Sequence, residues 1–129
     1  MKSSDVALRF IGEINSHSVE GLVSLMTSDH SFIDSLGSKS SRPSIEEGWR
    51  QYFELVPDYW VKVDQAFSEG GTAVLVGRAG GTLASKGGAL KPEKRWEAPA
   101  VWTARVVEEK IAEWRVYCDN EPLREKMRK

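Results

Sequence analysis

The chain has 129 residues, 40% apolar and 29% charged, a balance that fits one globular domain over residues 1–129 and lies outside the disordered range. Its charges nearly cancel at a net −1 and no basic stripe runs along a face, which removes the phosphate attraction that nucleic-acid binding needs. The single cysteine, Cys118, closes no intramolecular disulfide, no apolar run reaches the roughly 20 residues that span a bilayer, and no signal-peptide stretch leads the chain, so a cytoplasmic protein is expected.

From Val6 the apolar residues fall at Val6, Ala7, Phe10, Ile11 and Ile14, the spacing of one helical stripe, which predicts a helix over about 5–15. A second stripe at Val19, Leu22, Val23 and Met26 follows Ser18, whose hydroxyl suits a helix N-cap. Ser44 and Glu47 have the spacing of a capping box. Ile45, Trp49, Tyr52, Phe53 and Val56 then repeat at helical intervals until Pro57 forbids continuation. Beyond this point the period changes to 2. Tyr59, Val61 and Val63 alternate with Trp60, Lys62 and Asp64, and Glu69-Gly70-Gly71 supplies a hairpin turn into a strand over 73–83, with a bend expected at Gly80-Gly81. A Gly/Lys-rich loop over 84–94 separates this from a strand over 95–107, whose even positions Trp96, Ala98, Ala100, Trp102, Ala104 and Val106 are apolar. Glu108-Glu109 turns the chain into a last strand over 110–119 that places Trp114, Val116 and Cys118 on one side, and a short basic tail runs from Pro122. Helices grouped before strands predict an α+β domain.

This order of elements, with the aspartate-containing segment FIDSLG (32–37) between the second and third helices, resembles the nuclear transport factor 2-like superfamily. ALRFIGEINSHSVEGLVSLM (7–26), FIDSLG and KIAEWRVYCD (110–119) carry the resemblance most specifically. The superfamily includes steroid isomerases, SnoaL-like polyketide cyclases, limonene-epoxide hydrolase and non-catalytic binding modules. The resemblance implies a cystatin-like cone, in which a curved antiparallel sheet packed on three N-terminal helices encloses a ligand cavity and the sheet's outer face makes a homodimer. On that face Arg95, Thr103, Arg105, Glu113, Arg115 and Tyr117 are expected, a mixture suited to a twofold contact.

Asp34 resembles the general base of the steroid isomerases, a role that needs a carboxylate held in an apolar pocket; the same residue in such a segment also suits a turn cap. The rest of that machinery departs from the pattern. Phe10 stands where a tyrosine donates to the enolate, and Ala98 stands near the second donor. Val116 and Gly80 occupy positions where the epoxide hydrolase has aspartates, and Val116 also replaces the acid-base aspartate of the cyclases. Arg78 shares parity with Val74 and Val76: it either enters the cavity, where it would suit a carboxylate ligand or reach Asp34, or makes an outward salt bridge. Trp49, Phe53, Trp96, Trp102 and Trp114 are candidates to line an aromatic pocket, with Phe10 and Val116 beside them and His30 as a possible acid-base partner, while His17 reads as structural. No metal-ligand spacing and no phosphate-binding turn is present, so no metal or nucleotide cofactor is expected. The expected partner is a small apolar or carboxylate-bearing molecule, handled either by proton transfer of the isomerase, cyclase or dehydratase kind through Asp34 or by a non-catalytic ligand- or protein-binding module.

Overall fold

The apolar stripe that begins at Val6 forms helix α1 (Ser3–Asn15) in the computed structural model, which describes residues 1–128, and its Val6, Ala7, Phe10, Ile11 and Ile14 are all buried. Helix α2 (Val19–Ser24) starts as expected, with the Ser18 hydroxyl accepting from the Gly21 N–H at 3.0 Å. Helix α3 (Arg42–Leu55) starts two residues before the Ser44–Glu47 box. Pro43 lies in its first turn, where a missing N–H removes no helical bond, and the Ser44 hydroxyl donates back to the Ser41 carbonyl instead of capping.

The four expected strands are present, and two more precede them. They are β1 (Met26–Ile33), β2 (Lys39–Ser41), β3 (Trp60–Glu69), β4 (Thr72–Thr82), β5 (Arg95–Val107) and β6 (Lys110–Cys118), in one sheet of order β2-β1-β6-β5-β4-β3. β3 to β6 are antiparallel neighbours, but β1 pairs with β6 in parallel, so the sheet is mixed and not purely antiparallel. The α+β architecture stands; β1 escapes a period-2 reading because Thr27, Ser28 and Asp29 interrupt the apolar alternation. The basic tail is also ordered, as the short helix α4 (Glu121–Met127) against β5. No helix among the described residues is long and apolar enough to cross a membrane.

The bend expected at Gly80-Gly81 lies elsewhere. Those glycines pair regularly with Glu97 and Trp96, and the register shifts instead on β3, between Val63 and Gln65. Gly81 is needed for close approach, since a Cβ there would stand 2.4 Å from Val56 Cγ1 at the end of α3. Asp58 then ties this corner together, accepting from the Thr82 backbone N–H at 2.6 Å and from its hydroxyl at 2.8 Å. At the other end of α1, Asn15 makes a two-way bond with Val61 (2.7 and 2.9 Å), and the His17 ring N–H donates to the Tyr59 carbonyl at 2.7 Å. The start of β3 is thereby held from two sides.

Along β5 the even positions face inward as predicted, and along β4 the inward set is Ala73, Leu75 and Ala79. Val74, Val76 and Arg78 therefore lie on the outer face. α1 lies across the inner faces of β3, β4 and β5, and α3 packs on β1 and β2, so that the core sits between α1 and the concave side of the sheet.

His30 belongs to this core. It is 1% exposed, and its Nδ1–H donates to the Ile111 carbonyl at 2.6 Å, where the β1–β6 ladder is interrupted between Met26 and Ser31. Because a carbonyl can only accept, Nδ1 carries the proton, while Nε2 has no partner among the described residues. Burial depresses the histidine's pKa below its ordinary 6.5, the bond to Ile111 opposes that shift, and the Arg42 charge adds to it. The unfolded chain consequently takes up a proton that the folded chain refuses. The contribution of His30 to stability is therefore present above its unfolded value of 6.5 and is lost as the pH falls below it. His30→Asn keeps a donor for Ile111 without titrating, so its urea midpoint should fall less between pH 7 and pH 5 than the parent's; parallel loss in both proteins would refute this assignment.

The β5–β6 turn offers a second check. Glu108 (φ 49°) and Glu109 (φ 63°) both adopt the left-handed region in a two-residue hairpin, a conformation that asparagine and glycine accept and other side chains resist. Replacing the pair with Asn-Gly should raise unfolding free energy by about 1 kcal/mol, read from the denaturant midpoint at unchanged slope.

Candidate functional site

Between α3 and the concave face of β4, β5 and β6 lies a cavity of about 340 Å³. Small residues contribute to its lining: Ala79 and Ala100 face inward from the sheet, and Gly48, an exposed position in the middle of α3, lines it from the helix. Around this gap stand Trp49 and Tyr52 from α3, Tyr59 from the segment before β3, and Trp96, Trp102 and Trp114 from β5 and β6. Phe32, at the end of β1, closes one side. The rim is polar: Asp34 and Ser35 come from the loop after β1, and Asn120, from the turn before α4, donates to the Ser35 hydroxyl.

The aromatic walls meet at steep angles. Tyr52 and Tyr59 are perpendicular, with centroids 4.9 Å apart, and Trp49 is perpendicular to Phe32 at 6.0 Å. Burial raises the pKa of both tyrosines well above the usual phenol value, and it raises that of Cys118, which also faces the cavity. All three are therefore neutral near pH 7. Among the described residues Asp34 is the one charged residue of the lining, which includes no lysine, arginine or histidine.

The candidates named from sequence divide into three groups. Asp34, Trp49, Trp96, Trp102, Trp114 and Val116 all line the cavity. Phe10, Phe53 and His30 stand behind it: Phe10 is fully buried against Trp114 (4.5 Å) and Trp49 (6.3 Å), Phe53 backs Trp49 at 5.5 Å and stacks on His17 at 4.3 Å, and His30 lies 6.2 Å from Phe10 in the core. Arg78 is on the opposite face of the sheet. The outward alternative holds because Leu75 and Ala79 take the inner parity of β4; the Arg78 side chain, 41% exposed, reaches Glu97 at 3.5 Å and Asp64 at 3.8 Å.

Asp34 also acts in its own turn. One carboxylate oxygen, Oδ1, accepts from the backbone N–H groups of Leu36 and Ser38, each at 2.9 Å, which fixes the side chain at the rim. Tyr52, Tyr59, Phe32 and Asn120 were not among the expected site residues. Tyr52 carried a usable signal, lying three residues after Trp49 on the same face of α3, as did Phe32, two residues before Asp34. The alanines and Gly48 carried none, because a space is defined only by what stands across it. Among the described residues no three histidine, cysteine or acidic side chains cluster as metal ligands would.

The model of the SnoaL-like domain family matches residues 7–114. No curated protein sequence matches the chain. Solved structures share the fold over nearly the whole length at low identity. A proposed SnoaL-like polyketide cyclase from Shewanella denitrificans superimposes with a TM-score of 0.83 at 17% identity, over 98% of this chain and 96% of its own. IdmH, a proposed polyketide cyclase from Streptomyces antibioticus, does so with 0.82 at 18%, over 100% of both chains. A protein of ketosteroid isomerase-like fold from Catenulispora acidiphila, solved in complex with trimethylamine, matches with 0.79 at 15%, over 92% of this chain and 88% of its own. With its cone of strands, its helical cover and a family match across 7–114, the chain belongs to the SnoaL-like domain family, within the nuclear transport factor 2-like fold.

Proposed function

We propose that this protein binds a small, mainly apolar molecule in the aromatic cavity. The observation that carries the reading is the lining itself, in which Trp49, Tyr52, Tyr59, Trp96, Trp102 and Trp114 stand around about 340 Å³. Gly48, an exposed glycine in the interior of α3, stands on the same lining, and a Cβ added there would meet nothing within 4 Å. The cavity is lined by aromatic rings with a few polar groups at its rim, the composition usual for small-molecule sites. The Catenulispora neighbour, solved with trimethylamine, supports a small occupant for this fold.

Proton transfer through Asp34 is the enzymatic form of the same reading. Its support is the residue's place on the lining. Against it stands the lack of a partner acid or base: His30 is in the core behind Phe10, Arg78 is outside the sheet, and the buried phenols of Tyr52 and Tyr59 hold their protons. Binding is therefore the function put forward, and Asp34 is assigned to the rim.

The binding reading is tested with N-phenyl-1-naphthylamine, a neutral fluorophore that brightens in apolar sites. The parent protein should enhance its emission saturably. Gly48→Leu should fold, because its side chain enters open space, yet lose at least tenfold in affinity, whereas Gly48→Ala should gain about 0.5–1 kcal/mol in stability. Equal binding by the parent and Gly48→Leu would refute the assignment of the cavity.

The outer face of the sheet supports a homodimer. Phe67, Val74 and Thr103 lie side by side across β3, β4 and β5, as do Val76, Val101 and Tyr117 across β4, β5 and β6; Arg105 pairs with Glu113 and Thr103 with Arg115. Phe67 and Tyr117 are 54% and 46% exposed, a concentration of apolar surface suited to a twofold contact. Sedimentation equilibrium at micromolar concentration should show a dimer that Val76→Glu converts to monomer; a monomeric parent would exclude this contact.

A further inference from the structure

Resting on the binding reading above, we infer that the cavity selects an organic cation, of the quaternary or tertiary alkylammonium class, over neutral and anionic molecules of the same shape. Among the described residues four tryptophans and two tyrosines line about 340 Å³. Trp96, Trp102 and Trp114 are buried in its wall, so the rings with open surface are Trp49, Tyr52 and Tyr59, with Phe32 beside them; the face of such a ring carries negative potential, strongest for tryptophan. Tyr52 with Tyr59, and Trp49 with Phe32, meet at 89° and 85°, so ring planes of different orientation stand side by side on the wall.

The charges point the same way. Among the described residues Asp34 is the one charged side chain on the lining, and its carboxylate is held at the rim by the N–H groups of Leu36 and Ser38. An anion would lose its hydration on entry, find no lysine, arginine or histidine among the described residues of the lining, and approach the Asp34 charge. Arg78, the residue that could have served as its counter-ion, stands on the other face beside Glu97 and Asp64. A carboxylate-bearing ligand therefore fits this cavity poorly. A methylated ammonium fits it well, because its charge is spread over methyl groups that give up little hydration and pack against rings as hydrocarbon does. The tyrosines add no charge of either sign, since burial keeps both phenols protonated.

Three probes of matched shape separate charge from size: trimethylphenylammonium, its neutral isostere tert-butylbenzene, and the anion 4-tert-butylbenzoate. Quenching of the intrinsic tryptophan fluorescence reports each affinity. The cation should bind about tenfold more tightly than the neutral isostere and the anion most weakly, the size of preference that desolvated cation–ring contacts confer. Asp34→Asn retains an oxygen to accept from Leu36 and Ser38, so the rim should keep its shape; it should weaken the cation several-fold and leave tert-butylbenzene unchanged. Equal or tighter binding of the neutral isostere, or tightest binding of the benzoate, overturns the charge preference while leaving the binding reading intact. If none of the three binds, both readings fail.

Discussion

The concave face of β4 and β5 alternates small residues with large ones, and the rest of the molecule is arranged around that alternation. Ala73, Ala79, Ala98, Ala100 and Ala104 are interleaved with Leu75, Trp96 and Trp102 on buried positions of the same face. The alanines let α1 settle closely on the sheet, where Phe10 and its neighbours fill the space completely. Farther along, Ala79 and Ala100 line the cavity together with Gly48 of α3. Because protein interiors are otherwise close-packed, an unfilled volume between two well-formed layers costs dispersion contacts on every wall. Stacked and perpendicular rings recover part of that cost, as tryptophans and tyrosines can pack against one another along the wall while leaving the centre open.

Much of the fold was legible because burial imposes a period. α1, α3 and the inward set of β5 could be read from spacing, since each buries one face against the same core. β1 could not. Its strand is defined by pairing with β6, which lies nearly 80 residues away in sequence, and its polar Thr27, Ser28 and Asp29 satisfy no alternation. The parallel pairing was hidden for the same reason, and His30, which fills the break in that ladder, looked like a candidate acid or base when its work is to donate to the Ile111 carbonyl. Arg78 shows where parity stops being informative: Val74 and Leu75 are both apolar, so either face of β4 could have been the inner one, and the packing of Leu75 against the core settles which.

The site was legible in part, and in a way that follows from its chemistry. Tryptophans are few and large, so naming them found most of the walls. What makes the walls a cavity is the absence of side chains at Gly48, Ala79 and Ala100, and absence has no pattern along a chain. Tyr59 depends on long-range positioning that spacing cannot reveal, as its backbone is held by His17 and its neighbours Val61 and Asp58 are tied to Asn15 and Thr82.

The departures from the steroid isomerase pattern acquire a common meaning from this geometry. Phe10 occupies the place of a hydroxyl donor, and it packs at 4.5 Å on Trp114 with no exposed surface, so a polar group there would be buried beneath the cavity instead of opening into it. Val116 lines the cavity with hydrocarbon where the resemblance implies an acid, so both positions are apolar where that pattern has a polar group. The one carboxylate that persists, Asp34, is also the one whose backbone turn needs it, through Leu36 and Ser38. The polar groups that do stand on the lining are others: the phenols of Tyr52 and Tyr59, which burial keeps protonated, and Asp34, whose carboxylate is fixed at the rim.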